Sequence, residues 1–320
     1  MHPALRSVAR GIRAAMRYAS RLPRSIARLS IAAGVAVLLT ACAAQSEPRI
    51  LHDAASRYGP VIVTQEADGV RVLRFAHGGA RQSVVKPDDP TYVALSYART
   101  ALVGLALVDE PRRILVVGLG GGTLPRFVHH YYPAATVDAV DINPEVVRVA
   151  KDYFGFREDS RLRAHVADGR RYIEQARVPY DLIFLDAYGA NDVPAHLTTQ
   201  EFLRAVRRAL TPGGVVVGNL WGDDFNGRYA AMVRTYQSVF DTVKILPAEY
   251  NRIVLALPRS ADVTTKGLAA RAAALSRSRE FPFDLGAMVT DPPPGEDEAV
   301  RRGQLLRDRG KTDLQAVPGS

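Results

Sequence analysis

Three aspartates, Asp141, Asp168 and Asp186, each follow an apolar run, and the first lies 23 positions beyond Gly118 of the turn Gly118-Leu-Gly-Gly-Gly122. A carboxylate at the position of Asp141 can accept two short hydrogen bonds from the vicinal hydroxyls of a ribose. Asp168 stands beside Gly169, and a carboxylate next to a close-approaching glycine can accept from an adenine amino group. Asp186 closes the next apolar run, Tyr180–Leu185. Taken singly, each acid reads equally well as a strand end or a helix cap. Three of them at three consecutive strand ends, beside a glycine turn, point to a nucleoside pocket. The turn lets backbone come close to a ligand because no Cβ intervenes. It continues into Thr123, so the last glycine of the dinucleotide fingerprint is missing, and a standard dinucleotide site is disfavoured. Tyr188 and Trp221 flank the same crevice, either to stack on a ligand or to fill core.

Other chemistry is harder to assemble. The seven His and the single Cys have no metal-ligand spacing, and no metal is expected. No nucleophile elbow occurs. His129-His130 beside Tyr131-Tyr132 read as a partly exposed helix surface, and Arg204, Arg207 and Arg208 as a solvated helix face.

The acids need a scaffold that brings strand ends together. Ile114–Val117 reads as a fully apolar strand running into the glycine turn. A helix follows with Leu124, Phe127, Val128 and Tyr131 on one face. Strands are expected at 136–142, 162–166, 180–185, 215–220, 242–246 and 252–257, with helices between them. Asn143-Pro144 supplies an N-cap and a first-turn proline, and Thr198-Thr-Gln-Glu201 a capping box. Strands alternating with helices predict a mostly parallel sheet covered on both faces, with ligands outside the carboxyl ends of the strands at the switch point. Residues from about Arg112 to Trp221 form the predicted nucleoside-binding part. Upstream, Pro60–Thr64, the Asp68-Gly69 turn, Val70–Phe75 and Gln82–Val85 predict a small antiparallel β unit. Thr91–Leu107 reads as one apolar helix. The full division is 1–41 signal peptide, 42–110 tether, β unit and helix, 111–258 α/β domain, and 259–320 extension. That extension has an Ala-rich helix near 266–276 and a loosely ordered segment from Asp291.

The net charge of +9 belongs mostly to the leader, where seven Arg and no acid precede residue 46; nine less seven leaves +2 for the rest. This argues against a nucleic-acid partner for the folded part. After Arg28 comes the apolar run Ile31–Ala44, too short to span a bilayer but suited to a signal peptide. It contains Leu39-Thr-Ala-Cys42, which resembles a bacterial lipobox with Cys42 as the lipidated residue. The expected location is a membrane-anchored lipoprotein facing the periplasm or exterior, reaching the membrane through that lipid. The alternatives are an ordinary signal peptide, an uncleaved anchor with an incidental Cys, or, if the leader does not function, the cytoplasm.

Ile114-Leu-Val-Val-Gly-Leu-Gly-Gly-Gly122, Val140-Asp-Ile-Asn143, Ala167-Asp-Gly169 and Asp181-Leu-Ile-Phe-Leu-Asp186 resemble the polyamine aminopropyltransferases, or spermidine synthases, and more closely their divergent bacterial members. The resemblance runs from about Ser56 to Leu257. It implies an α/β fold: a Rossmann-like, doubly wound sheet of the class I AdoMet-transferase type, behind a small N-terminal antiparallel β unit. It implies decarboxylated S-adenosylmethionine as co-substrate, methylthioadenosine as product, a polyamine or other amine as acceptor, and a homodimer. Gly78-Gly-Ala-Arg-Gln82 resembles the family's D-G-x-x-Q hairpin, so Gln82 is implied to contact the nucleoside. Pro194-Ala195 resembles the segment whose proline lies against adenine. With these, the implied cofactor-binding set is Gln82, Gly118, Gly120, Asp141, Asp168, Gly169 and Pro194. Asp186 matches the family's general base, needed because an alkylamine with a pKa near ~10 is protonated at neutral pH. Two departures concern the amine. Thr123 stands where relatives carry an acid. The family's second polyamine-binding acid has no direct match, leaving Asp192, with Tyr188, as the substrate candidates. A dication needs acids at both ends, because an unpaired ammonium is costly to desolvate.

Three functions are compatible with these residues: aminopropyl transfer with Asp186 as base, methyl transfer from AdoMet on the same fold, and a lipid-anchored nucleoside- or polyamine-binding protein without turnover.

Overall fold

The computed structural model describes residues 48–188, 193–222 and 226–308. Cys42 and Asp192 lie outside the described residues. Four strands open the chain: β1 (Arg49–Ser56), β2 (Gly59–Gln65), β3 (Arg71–Arg74) and β4 (Ser83–Val85). They form an antiparallel sheet in sequential order. Val61, Val63, Leu73 and Val85 bury their side chains against Val146, Val149 and Phe154. These last residues belong to α3 (Pro144–Tyr153) and the turn after it, so the small sheet is seated on the α/β domain by an apolar contact.

The segment expected as one helix is two pieces, α1 (Ser96–Ala101) and a 3-10 stretch, Leu102–Leu107. Within it Gly104 packs against Val217, whose side chain a Cβ there would overlap. The tighter, narrower turn lets the chain lie directly on the sheet.

The main sheet contains β5 (Arg113–Val117), β6 (Thr136–Asp141), β7 (Leu162–Val166), β8 (Tyr180–Leu185), β9 (Leu210–Trp221), β10 (Thr242–Ala248) and β11 (Asn251–Leu257), in the order β10-β11-β9-β8-β5-β6-β7. β5 to β9 pair in parallel, and β11 runs antiparallel to both neighbours. The chain moves outward from β5 to β7, then returns to place β8 on the other side of β5. This reversal is the switch point, and a crevice opens there beyond the carboxyl ends. Side chains alternate across β5: Ile114 and Val116 face one apolar layer, Leu115 and Val117 the other. The first layer includes α1, α2 (Thr123–Tyr131) and α7 (Thr265–Ser278); the second includes α4 (Gly169–Glu174), α5 (Gln200–Arg208) and α6 (Tyr229–Gln237).

Two local expectations shift. The N-cap of α5 is Thr199, whose side chain accepts from Phe202 N–H at 3.3 Å, one residue later than the capping box placed it. The C-terminal segment is ordered further than its composition suggested. Helix α8 (Glu296–Arg302) buries Val300, and its Glu296 pairs with Arg252 at 3.1 Å. Leu306 accepts from Gln200 N–H, and Asp308 binds the Arg170 guanidinium at 2.8 and 2.6 Å. Backbone and charged side-chain bonds hold this segment where apolar residues are few.

Candidate active site

The carboxyl ends of β5, β6 and β8 and the rim of the small sheet enclose a cleft of about 1780 Å³. All three aspartates line it, as do Gln82, Gly118, Gly120, Gly169, Tyr188 and Pro194.

Gly118 follows β5 at φ +100°, and its N–H donates to Val140 O at 2.8 Å. A Cβ there would overlap the Asp186 carbonyl oxygen, so only glycine lets β5 and β8 leave the sheet side by side. Asp186 N–H donates to Val117 O at 2.8 Å and completes the junction. Gly120 has φ +52°, and a Cβ on it would come within 2.7 Å of Ser83 Oγ. That hydroxyl accepts from Gly121 N–H at 2.8 Å. The glycine turn is thus clamped from above by the first residue of β4, a contact that sequence reasoning missed. Gly169 also serves packing, since a Cβ there would overlap the Val117 side chain. Its lack of a side chain lets the start of α4 sit on β5.

Asp141 accepts from Leu119 N–H at 3.0 Å and from Asn143 N–H at 2.9 Å. Burial pushes its carboxyl up, and the N–H groups of Asn143, Leu119 and Gly120 pull it part of the way back. Asp141 lines the cleft, and its roughly four lone-pair sites exceed these three donors, which leaves capacity for a ligand hydroxyl. Asp168 caps α4 by accepting from Arg171 N–H at 2.9 Å, and its other oxygen pairs with His196 Nε2 at 2.9 Å. Burial pushes Asp168 up, but the His196 and Arg171 contacts outweigh it and leave the carboxyl below its ordinary value. The acid offered as an adenine acceptor is therefore already engaged by two protein donors. His196 follows Pro194 and Ala195, so this pair ties the 194–196 segment to the rim of α4.

Asp186 is part-buried and is held by an amide at its back. Asn219 Nδ2 donates to its Oδ1 at 2.8 Å, and Asn251 Nδ2 donates to Asn219 Oδ1 at 2.8 Å. The second bond orients the Asn219 amide so that its nitrogen faces Asp186. The Tyr97 hydroxyl also acts on this carboxylate, and donates to Gln82 O at 3.2 Å. Burial pushes the Asp186 carboxyl up to about 7, against the opposing pull of Asn219 and Tyr97. Tyr97 in turn is raised by burial and by the neighbouring Asp186 charge. A carboxyl poised near neutrality can exchange a proton with a bound group at physiological pH. Tyr188 donates to Asn219 O at 3.0 Å, and its ring stacks on Trp221 at 5.8 Å between centroids. Asn219 left a signal in the sequence as the lone amide in the run Val215–Leu220. Tyr97 and Asn251 left none, because their roles depend on which distant elements meet.

Among the described residues, no group of three or more His, Cys, Asp or Glu converges as a metal site.

The spermine/spermidine synthase domain matches residues 97–220. A polyamine aminopropyltransferase of Vibrio vulnificus (strain CMCP6) is 35% identical over 217 residues, which cover 65% of this chain and 72% of that protein. The eEF1A lysine and N-terminal methyltransferase of Homo sapiens is 34% identical over 216 residues, covering 61% of this chain and 31% of that one. In fold, the chain is similar to a probable spermidine synthase from Corynebacterium glutamicum ATCC 13032, with a TM-score of 0.66, 19% identity, and coverage of 82% of this chain and 97% of that one. The glycine turn, the acids at the strand ends and the small leading sheet thus occur together in a transferase that belongs to the spermidine synthase (polyamine aminopropyltransferase) family.

Proposed function

We propose that this protein moves the aminopropyl group of decarboxylated S-adenosylmethionine to an amine, with Asp186 as the general base. The observation that carries the reading is a buried carboxylate poised near 7, oriented by Asn219, in the same cleft as the glycine turn. In this reading Asp141 takes the ribose hydroxyls, and Gly118 and Gly120 bring backbone close to the nucleoside. Gln82 and Pro194 bound the nucleoside from the small sheet and the 194–196 segment, and Asp168 bounds it through His196. The acceptor enters as an ammonium, which Asp186 attracts and deprotonates. The free amine nitrogen attacks the carbon next to sulfur and forms the N–C bond. The C–S bond breaks, and its electron pair stays on sulfur as neutral methylthioadenosine. The sulfonium is a good leaving group, so the protein's task is to position the amine and to hold its proton.

Purified protein supplied with decarboxylated AdoMet and a diamine should release methylthioadenosine and the aminopropylated amine in equal amounts. Nucleoside binding without product at any pH between 6 and 9 would refute the transfer.

The similarity to the human methyltransferase favours one other reading, methyl transfer from AdoMet itself. The two donors differ by one carboxylate. Against Asp186 that carboxylate is repelled, whereas the bare ammonium of the decarboxylated donor is attracted. Calorimetry with both donors separates the readings: tighter binding of AdoMet would favour methyl transfer.

A further inference from the structure

The cleft extends past Asp186, along the end of β9 to Trp221 and the tip of the β10–β11 hairpin. Ala248 pairs with Asn251, so Glu249 and Tyr250 form a two-residue turn. Glu249 adopts φ +55°. A left-handed conformation costs an L-residue other than Gly, Asn or Asp roughly 1–2 kcal/mol, and strain of this kind concentrates at binding sites. Glu249 is exposed and lines the cleft, and no ion pair engages it among the described residues. Glycine or asparagine would hold the turn at lower cost, so local structure does not account for a glutamate there.

Between Asp186 and Glu249 the wall is uncharged. Tyr188, Asn219, Trp221, Tyr250 and Asn251 supply ring faces and amides, suited to a methylene chain. Asp186 is level with Asn219 on β9, and Glu249 lies beyond the pair Trp221–Asn251. Two strand spacings sideways and about three residues along place their α-carbons roughly 14 Å apart. Side chains turned into the cleft shorten that gap to one that a linear diamine can bridge. Elsewhere on the rim, Arg170 pairs with Asp308 and Glu174, Arg81 shares Glu66 with Arg74, and Arg57 and Arg171 stand on other elements. The Asp186–Glu249 wall therefore presents two carboxylates, one buried and one at the mouth, joined by an apolar and aromatic surface. Thr123, also on the cleft, contributes no charge.

We propose that Glu249 is the specificity residue for the acceptor, binding the distal ammonium of an α,ω-diamine whose reacting amine lies at Asp186. This rests on the aminopropyl-transfer reading. Glu249 forms no bond with the reacting atoms; it selects diamines over monoamines and sets the favoured chain length.

The test is calorimetric titration at pH 8 of linear diamines, and of n-alkylamines of matched length, into the full protein saturated with methylthioadenosine. Wild type is expected to bind its best diamine about tenfold or more tightly than the matched monoamine, with a preference that weakens as salt screens the distal pair. Glu249→Gln should bring the two amines within about twofold of each other while leaving monoamine affinity unchanged. Glu249→Asn, which removes the charge and suits the left-handed backbone, should behave like Gln with a melting temperature equal to or above that of wild type, which excludes a misfolded hairpin. A diamine preference that survives both substitutions overturns the role of Glu249, as does a wild type without preference. A wild type that binds the nucleoside but no amine overturns the aminopropyl-transfer reading itself.

Discussion

Replacing Asp186 with Asn should make the protein more stable while abolishing its turnover. The carboxyl is pushed from 3.8 up to about 7 in the folded protein, chiefly by burial. The native state therefore keeps a proton that the unfolded chain releases first, and stability falls as pH rises from about 4 to about 7. Above 7 the folded protein carries a buried, incompletely compensated charge. The gap between the two values corresponds to roughly 4 kcal/mol. The residue is only part-buried, so water in the cleft screens some of this, and about 2–4 kcal/mol is expected. Asn keeps the shape and can still accept from Asn219 Nδ2, while its own amide can donate toward the Tyr97 hydroxyl. Urea unfolding of both proteins at pH 5 and pH 8.5 measures the effect. The variant should gain relative to wild type by about 1–2.5 kcal/mol more at pH 8.5 than at pH 5, a difference of roughly 3–7 °C in melting temperature, because more than a third of the effect is already present at pH 5. Parallel pH dependences for the two proteins would refute the assignment of a raised carboxyl. Unchanged turnover in the variant would refute its role as base.

Asn219→Ala removes a hydrogen bond to a charged acceptor, worth about 1.5–3 kcal/mol. It should move the acidic limb of the kcat/KM profile upward by about 1–2 pH units; an unmoved limb would mean that Asn219 does not tune Asp186. Gly118→Ala combines φ +100° with overlap on the Asp186 carbonyl and should destabilise the fold by roughly 2–5 kcal/mol, read by denaturant midpoint. Ser83→Ala strands the Gly121 N–H and should cost about 1–3 kcal/mol. It should also weaken methylthioadenosine binding in calorimetry by loosening the glycine turn. Intact-mass analysis of the mature protein from membranes should find a diacylglyceryl group on an N-terminal Cys42; an unmodified or uncleaved chain would dismiss the lipoprotein reading.

The apolar run Ile114–Val117, the glycine turn, and strands ending in Asp141, before Asp168 and before Asp186 were legible because each depends on neighbours a few residues away. Strand alternation, Asn143 capping α3 and a proline in its first turn are likewise local, and they determine the α/β class. The small leading sheet was legible from its turns. What local pattern could not contain was the meaning of contacts between distant segments. The need for glycine at position 104 is set by Val217, more than a hundred residues away. Gly120 and Gly169 look like residues that spare room only for a ligand, but each also spares room for another part of the chain, Ser83 and Val117. Asp168 reads as a free acceptor until the fold brings His196 to it. The order of the C-terminal segment depends on Arg170 and Gln200, which no composition near Asp308 reveals. Above all, an aspartate after an apolar strand is only an acid in the sequence. Return of β8 beside β5 at the switch point buries Asp186, and antiparallel insertion of β11 beside β9 brings Asn251 to Asn219 and Asn219 to Asp186. The sequence alone therefore determined the α/β class, the glycine turn and the acids that end its strands. The tertiary structure decided that one carboxylate is poised near neutral pH, because desolvation and an oriented amide exist only once the strands have been brought together.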